Sequence, residues 1–459
     1  MKHKLFAILF LFLTINLKAQ NNDSLVLSKI FKEALKKGEA YTMLDSLANG
    51  IGGRLSGSIQ AQKAVEWGYR TMVNYGFDSV WLQPVMVPHW VRGSKEECYL
   101  KITQKSHFYR EKLNICALGG SIATPILGIT AKVIVVDSIS DLVKLGRDKI
   151  EGNIVLFNRP MDESQVGTFT AYGGAVDQRW AGPSIAASYG AVATLCRSME
   201  VGLSHYPHTG SMRYTDSLPK IPCAAIATID ADELAKQCKL HPDAEVTIKM
   251  SCETLPDELS YNVIGEIKGS KYPNEIVVFG GHLDSWDNGD GAHDDGAGCV
   301  QSIEVLRLFK ALNLRPERTT RAVLFMNEEN GLRGGKKYAE LALMNKEKHI
   351  AAIESDEGGF TPRGFGLTAD SLKFKKFQTW APLFYPYHIY EFLPHGGGAD
   401  IGPLREQGVP VLDYKPDSQR YFDFHHTEID TFEHVNKREL HMGAAALASL
   451  VWLIANNGW

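Results

Sequence analysis

The chain has 459 residues, of which 44% are hydrophobic, enough apolar surface for a large core and, by length, for about two to three domains. Its 49 Lys and Arg residues are nearly matched by 53 Asp and Glu residues, giving a formal net charge of -4. Because no basic excess is available to attract phosphates, the composition excludes nucleic acid and anionic lipid as main partners.

Residues 1–19 predict a secretory signal peptide. The basic residues Lys2, His3 and Lys4 precede the apolar segment 5–17, and Ala19 stands at a suitable cleavage position. A buried N-terminal helix is the alternative, which the abrupt polar break at 21–24 disfavours. The apolar segment is too short to cross a bilayer, and we identify no later run of the roughly 20 apolar residues that a membrane helix needs. The sequence therefore predicts export to the periplasm or beyond the cell.

The seven cysteines are scattered along the chain without a C-x-x-C pair. This pattern indicates neither a dense disulfide framework nor a zinc–thiolate site. A single disulfide is compatible with an exported protein, but the sequence does not choose the pair.

After the signal, residues 20–117 predict the first part of a larger domain. Residues 23–75 have the apolar spacing of helices, and 80–116 alternate as strands do. A glycine- and serine-rich loop at 51–58 separates the helices. It carries Arg54, which is either a salt-bridged surface residue, the interpretation we favour, or a group that faces a site.

Residues 118–249 predict a separate domain inserted into the first. They contain the apolar strand segments 131–137, 152–158 and 221–226, but no cluster of metal-type ligands. His205 and His208 lie close together, yet no acidic residue follows them nearby, so a loop or the edge of a substrate cleft is favoured over a metal site.

From residue 250 to 459 the chain alternates strands with helices. Strands are expected up to Gly280, at 321–327 and at 350–355, with helices at 300–312 and 335–343. Strands separated by helices of this length predict an α/β fold with a largely parallel mixed sheet flanked by helices. In open sheets of this class ligands bind beyond the carboxyl ends of the strands.

Two groups of metal-type ligands follow the first of these strands. His282 and Asp284 are two residues apart, so in extended backbone both point to one side. Asp284 could then accept the second N–H of the His282 imidazole and fix its orientation. Asp294 and Asp295 follow in a glycine-rich turn that could bring a carboxylate to a cation.

Further candidate residues come after the later strands: Glu328 and Glu329, Asp356, and His426 in a polar loop before the last helix. Each of them alone is typical of a solvated surface. Together, two His, two Asp and one Glu could ligate two divalent ions, with one carboxylate bridging and another left free as a base. Histidine and carboxylate without thiolate suit catalytic zinc.

These motifs resemble the signature of the M28 family of co-catalytic zinc peptidases, in the order His282-x-Asp284, Gly291-Ala-x-Asp-Asp295, Glu328-Glu329, Asp356 and His426. The resemblance covers nearly the whole mature chain, and residues 118–249 resemble a protease-associated (PA) domain. It implies the M28 fold, hydrolysis of short unblocked peptides, two Zn²⁺ per chain and a homodimer.

By position, the resemblance makes His282 and Asp356 ligands of one zinc ion, Glu329 and His426 ligands of the other, and Asp294 the bridge. It makes Glu328 the general base and Asp284 the residue that orients His282, and it implies a cis peptide between Asp294 and Asp295.

Several alternatives stay open at this point. A dipeptidase or carboxypeptidase is expected, but an aminopeptidase acting on longer peptides is also consistent with the motifs. A glutaminyl cyclase and a non-catalytic binding module on the same fold are disfavoured, the latter because the ligand set is intact. The glycine-rich loop beginning at His395 is either a substrate contact or a turn that needs positive φ.

Overall fold

The computed structural model describes residues 22–104 and 107–459, so the predicted signal peptide lies outside the described residues. The described strands are β1 (Ser79–Val91), β2 (Glu96–Gln104), β3 (His107–Leu113), β4 (Ile115–Ala117), β5 (Ile129–Val136), β6 (Ile154–Phe157), β7 (Ala193–Arg197), β8 (Cys223–Ile226), β9 (Glu245–Met250), β10 (Glu253–Ile267), β11 (Tyr272–His282), β12 (Arg318–Phe325), β13 (Lys348–Glu354), β14 (Pro362–Thr368), β15 (Glu391–Pro394) and β16 (Val411–Pro416).

The α-helices are α1 (22–37), α2 (Ala40–Ile51), α3 (Ile59–Asn74), α4 (Ile139–Leu145), α5 (Arg147–Ile150), α6 (Thr168–Gly173), α7 (Asp177–Trp180), α8 (Gly182–Ser188), α9 (Thr228–Leu240), α10 (Ala297–Ala311), α11 (Arg333–Met344), α12 (Ser371–Thr379), α13 (Ala381–Phe384), α14 (Gly402–Glu406), α15 (Tyr421–Phe424) and α16 (Lys437–Asn457). A π-helical turn spans Ala292–Gly296, and 3-10 turns span Tyr385–Tyr387, Ser418–Arg420 and Phe432–His434.

The first sheet has eight strands in the order β1-β10-β12-β11-β13-β16-β14-β15. Its four central neighbours, β12, β11, β13 and β16, run parallel, and antiparallel pairs flank them. The prediction of a largely parallel mixed sheet in an α/β fold is therefore confirmed. The carboxyl ends of β12, β11 and β13 lie side by side at one edge.

Helices cover both faces of this sheet, which explains the continuous apolar run of its central strand. In β11, Val277 and Phe279 pack into the core formed with α10 and α16, whereas Ile276 and Val278 pack into the smaller core formed with α11 and α14. Side chains that alternate between two buried faces must all be apolar, so β11 lacks the alternation of a half-exposed strand.

The second sheet also has eight strands, in the order β3-β2-β9-β5-β6-β7-β8-β4. It begins at Glu96, earlier than the predicted start of the insert at residue 118, because β2 pairs with β9 and β4 pairs with β8. These pairings join segments more than a hundred residues apart in sequence. The division of the chain into domains stays a prediction.

One helix of the described chain, α16, is long and apolar enough to cross a membrane, which the sequence analysis did not single out. Of its apolar window, 83% is buried inside the protein, where the helix packs against α10 and α2. Burial of that extent is typical of the core helix of a globular protein.

Candidate metal centre

The predicted ligands converge at the carboxyl edge of the first sheet. His282 ends β11, Glu329 follows β12, and Asp356 follows β13, and these three strands are parallel neighbours. Asp294 comes from the π-helical turn that leads into α10, and His426 from the loop after α15. The structure thus brings together all five residues that the sequence nominated as ligands.

The five side chains form two groups that share one carboxylate. In the first group, Nε2 of His282 lies 3.1 Å from Oδ1 of Asp294 and 3.3 Å from Oδ1 of Asp356. In the second, Nε2 of His426 lies 3.3 Å from Oδ2 of Asp294 and 3.2 Å from Oε2 of Glu329. The two oxygens of Asp294 therefore face different imidazoles, as a bridging carboxylate would.

The donor set fits divalent cations. Oδ2 of Asp294, Oε1 of Glu329 and Oδ1 of Asp356 are buried atoms without a hydrogen-bond partner. Burying carboxylate oxygens without a partner is costly, and bound cations would satisfy these atoms. Imidazole and carboxylate oxygens without a thiolate are ligands typical of catalytic zinc.

Two further residues belong to the ligand-type groups. The sequence analysis placed Asp295 in the turn that could bring a carboxylate to a cation but did not choose it as a ligand, and it gave His425 no role. Asp295 lies with His282 and Asp356, and His425 lies with Asp294 and His426. Both oxygens of Asp295 already accept hydrogen bonds from backbone amides, those of His282 and Gly298, at 3.0 and 2.9 Å. The His425 ring stacks on the His426 ring with 3.5 Å between centroids, and its Nε2 lies 3.8 Å from Asp294. The adjacency of His425 to His426 was the only available signal.

The orientation of His282 differs from the predicted one. Its Nδ1 lies 2.9 Å from the main-chain carbonyl oxygen of Asp284, and not against the carboxylate of that residue. A carbonyl can only accept, so Nδ1 donates and Nε2 keeps its lone pair for the neighbouring site. The Asp284 carboxylate instead accepts the backbone N–H groups of Asn327 and Glu328, at 2.6 and 3.1 Å. The expectation was wrong because it assigned the hydrogen bond from His282 to the Asp284 carboxylate. The turn places the main-chain carbonyl of Asp284 against the imidazole instead.

His426 is oriented from the second sheet. Its Nδ1 lies 3.2 Å from the carbonyl oxygen of Thr209, whose N–H in turn donates to the carbonyl oxygen of His426. Ser211 donates to the carbonyl oxygen of Glu329 at 2.6 Å. The segment that contains His205 and His208 thus leads to the edge of the cleft, in agreement with the favoured interpretation. In the described chain neither of these two histidines belongs to a group of three possible metal ligands.

Arg54 is completely buried, so its interpretation as a salt-bridged surface residue is wrong. Its guanidinium donates to the carbonyl oxygens of Leu283, Asp290 and Gly291, at 2.6, 2.7 and 2.9 Å. These carbonyls belong to the segment between His282 and Asp294. Arg54 therefore ties together the backbone that carries two of the candidate ligands.

Two acidic residues at the centre have strongly raised pKa values. Burial raises the pKa of Glu328 to about 8, and the carboxylates of Asp356 and Asp294 add to this shift. Burial also raises the pKa of Asp430 to about 7, although that carboxylate accepts the backbone N–H groups of His293 and Asp294.

The structure can be compared with two expectations about backbone geometry, one for the Asp294–Asp295 peptide bond and one for the loop that begins at His395. The Asp294–Asp295 peptide bond is cis, as the resemblance implied. His395 has a φ of 67° and an exposed side chain, and it is not among the residues that line the cavity described next. The structure therefore agrees with a turn and places His395 away from a substrate contact.

A cavity of about 810 Å³ opens over the candidate ligands. Its floor is formed by Asp294, Glu328, Glu329, Asp356 and His426. Helices α6 and α7, the loop at 211–213 and the region of α15 supply the walls. The walls are aromatic and partly cationic and include Phe169, Tyr172, Arg179, Trp180, Arg213, Tyr421, Phe422 and His425. The volume is that of an ordinary small-molecule site.

Fold and site together define a metallopeptidase built on an α/β sheet. Residues 262–451 match the model of peptidase family M28, and the chain belongs to this family. The protein is accordingly a zinc-dependent metallo-exopeptidase.

Among its relatives, the chain is 37% identical to carboxypeptidase Q of Homo sapiens over 420 residues, which cover 92% of this chain and 86% of that protein. The crystal structure of a peptidase M28 precursor from Shewanella amazonensis is 33% identical and superposes with a TM-score of 0.89, covering 95% of this chain and 97% of that one. An aminopeptidase from Aneurinibacillus shares the fold, with 22% identity, a TM-score of 0.65 and coverage of 94% and 96%.

Proposed function

We propose that the protein binds two zinc ions and hydrolyses short unblocked peptides as a dipeptidase or carboxypeptidase. The observation that carries this proposal is the pair of ligand groups that share Asp294 at the floor of the cavity. The identity with carboxypeptidase Q over most of both chains supports the choice of substrate.

The proposed ligand roles are those that the family motif implies. His282 and Asp356 would hold one ion, Glu329 and His426 would hold the other, and Asp294 would be shared between them. The distances above support each pairing. When bound, zinc supplies a Lewis acid that polarises the scissile carbonyl and acidifies the attacking water.

Glu328 is proposed as the general base. It lines the cavity, and Asp284 accepts its backbone N–H, which holds the residue at the end of β12. Its carboxylate takes the proton of the attacking water and returns that proton to the leaving amine. Proton transfer of this kind contributes roughly 100- to 10,000-fold to the rate.

An aminopeptidase that acts on longer peptides is the second candidate. A relative named aminopeptidase YwaD, from Bacillus subtilis, is 25% identical over 244 residues, which cover about half of each chain, at 50% and 51%. The enclosing aromatic walls of the cavity favour short substrates over long ones.

The remaining proposals concern the context of the enzyme. Residues 1–19 direct export, and residues 118–249 form a PA-like insert that helps to enclose the site, as Arg179 and Ser211 do. A homodimer is proposed from the family resemblance, and light scattering of the mature protein tests it.

The experiment that tests the function compares one dipeptide in three forms, free, N-acetylated and C-amidated, with and without a chelator, by mass spectrometry. A dipeptidase cuts the free form only, and the chelator stops it. Equal cleavage of the amide would instead identify an aminopeptidase. The zinc content of the purified protein, with two ions per chain expected, separates failure of metal loading from failure of the substrate assignment.

A further inference from the structure

A second, much smaller cavity lies beside the candidate metal centre. Its volume is about 10 Å³, and three of its lining residues, Asp294, Glu329 and His426, also line the large cavity. Its other walls come from residues that do not line the large cavity, among them Trp286 and Asn288. The small cavity therefore reaches the candidate ligands from the side that faces away from the substrate. A volume near 10 Å³ is about the smallest that accommodates one water molecule.

Four of the residues that line the small cavity carry a buried polar atom without a hydrogen-bond partner within residues 22–104 and 107–459. These atoms are Nε1 of Trp286, Oδ1 of Asn288, Oε1 of Glu329 and Oδ2 of Asp294. The first is a donor and the other three are acceptors. A buried polar group without a partner is costly, so their convergence on one small cavity indicates a shared polar ligand.

Contacts within the protein fix the orientation of Trp286 and Asn288. Nδ2 of Asn288 donates to the carbonyl oxygen of His426 at 3.0 Å, which turns the amide oxygen away from that contact. The indole of Trp286 packs edge-on against the His426 ring, with 5.7 Å between centroids, and against Trp90, with 6.4 Å. A Cβ added at Gly119 would overlap the indole of Trp286, so the ring is closely packed on this side as well. Both side chains are thus held beside the candidate ligand His426.

The chemistry of the four atoms identifies the class of ligand. The indole N–H would repel a metal cation, and an ammonium ion has no lone pair to accept its hydrogen. The carboxylates of Asp294 and Glu329 would repel an anion. Water accepts and donates at once, and buried waters typically make about three hydrogen bonds. Because each carboxylate oxygen has two lone pairs, Oε1 of Glu329 can accept a hydrogen from water even when an ion is bound at the ligand groups.

We propose that the small cavity is the site of one internal water molecule, which accepts the N–H of Trp286 and donates to Oδ1 of Asn288 and Oε1 of Glu329. This inference rests on the proposed zinc binding and deepens it. The water makes Trp286 and Asn288 positioning residues for Glu329, because it fixes a carboxylate whose Oε2 lies 3.2 Å from Nε2 of His426. Groups that support a metal ligand in this way contribute about 10- to 100-fold to metal affinity.

The first test is a crystal structure of the zinc-loaded native enzyme at a resolution that shows ordered waters. An ordered water within hydrogen-bonding distance of Nε1 of Trp286, Oδ1 of Asn288 and Oε1 of Glu329 is the expected result. A zinc ion at that position, or the lack of any electron density there, would overturn the inference. This test does not depend on whether any variant folds.

The second test measures zinc affinity by competition with a chelator. Trp286→Phe removes the N–H donor but keeps an aromatic ring, and it should weaken binding of the ion held by Glu329 and His426 by about 10-fold or more. Trp90→Phe is the matched control, because it shortens a ring of the same aromatic group whose N–H donates to the carbonyl oxygen of Ser121, at 2.9 Å. It should leave the zinc affinity unchanged. Equal losses for the two variants would mean that only packing matters, and would overturn the inference.

The same substitution in His426→Ala protein separates positioning of one ion from a general effect on the fold. That protein should keep only the ion held by His282 and Asp356, and adding Trp286→Phe should not change its affinity. A further loss of about 10-fold in this background would contradict a role through Glu329. Failure of the native protein to bind zinc would refute the proposed function itself, whereas a native protein with two ions and no effect of Trp286→Phe would refute this inference alone.

Discussion

Replacement of Arg54 by methionine tests how the candidate centre is held. Methionine fills much of the aliphatic volume but removes the donors to the carbonyl oxygens of Leu283, Asp290 and Gly291. Each buried acceptor left unsatisfied costs about 1–3 kcal/mol. Because water and local relaxation recover part of this loss, we expect the zinc-free protein to lose about 3–5 kcal/mol of unfolding free energy.

The Arg54→Met substitution should weaken zinc binding as well as lower the unfolding free energy. The three carbonyls lie between His282 and Asp294, so their release should loosen two ligands and weaken zinc binding by about 10- to 100-fold, as loss of groups that support a ligand does. Urea denaturation gives the stability, and competition with a fluorescent chelator gives the zinc affinity. Arg307→Met is the matched control, because its buried pairing with Glu304 lies in α10, away from the ligands.

The comparison of Arg54→Met with Arg307→Met could refute this reasoning. If Arg54→Met and Arg307→Met destabilised the protein equally and neither changed the zinc affinity, the carbonyl contacts of Arg54 would not be positioning the ligand turn. Arg54 would then be only a packing residue.

Four other predictions concern individual residues. Glu328→Gln should keep two zinc ions but lower kcat roughly 100- to 10,000-fold, and normal turnover would remove Glu328 as the base. Its raised pKa of about 8, due first to burial, means that the folded zinc-free protein binds more protons than the unfolded chain between the ordinary glutamate pKa of 4.5 and that value. The stability should therefore fall as the pH rises from about 4.5 to about 8, and Glu328→Gln should reduce that fall in urea titrations. His426→Ala should reduce bound zinc from two ions toward one, measured by plasma emission, and an unchanged content would place the ligand elsewhere. Gly210→Ala should lower zinc occupancy, because its Cβ would meet His426 and its φ is +135°, whereas Gly50→Ala, with open space around it, should not.

The sequence located the ligand clusters because their positions follow from local rules, whereas the role of each residue within a cluster came from the resemblance to the M28 motif. His282, Glu329 and Asp356 each come directly after an apolar strand, and parallel neighbouring strands bring their carboxyl ends to one edge. Asp294 lies in a turn whose glycines mark a sharp change of direction. The α/β class followed from the same alternation of strands and helices, and it needed no knowledge of long-range contacts.

The features that the sequence analysis predicted wrongly or missed depend on the path of a turn or on long-range contacts. Whether the carbonyl or the carboxylate of Asp284 meets His282 depends on the path of the turn, which residue types do not determine. The burial of Arg54 behind Leu283 and Asp290 depends on contacts between segments more than two hundred residues apart. The start of the second sheet at Glu96 depends likewise on the pairing of β2 with β9.

The contacts of His426 show why the catalytic sheet alone would not make a complete site. The first sheet supplies the other ligands and the proposed base, but the carbonyl that orients His426 belongs to Thr209, in a loop of the second sheet's region. Ser211, in the same loop, holds the carbonyl of Glu329, and Arg179 closes the wall beside it. A shift of this loop would therefore act on a metal ligand and on the wall of the cavity at once. Metal affinity and turnover should then fall together in variants of the loop, whereas Glu328→Gln should lower turnover alone.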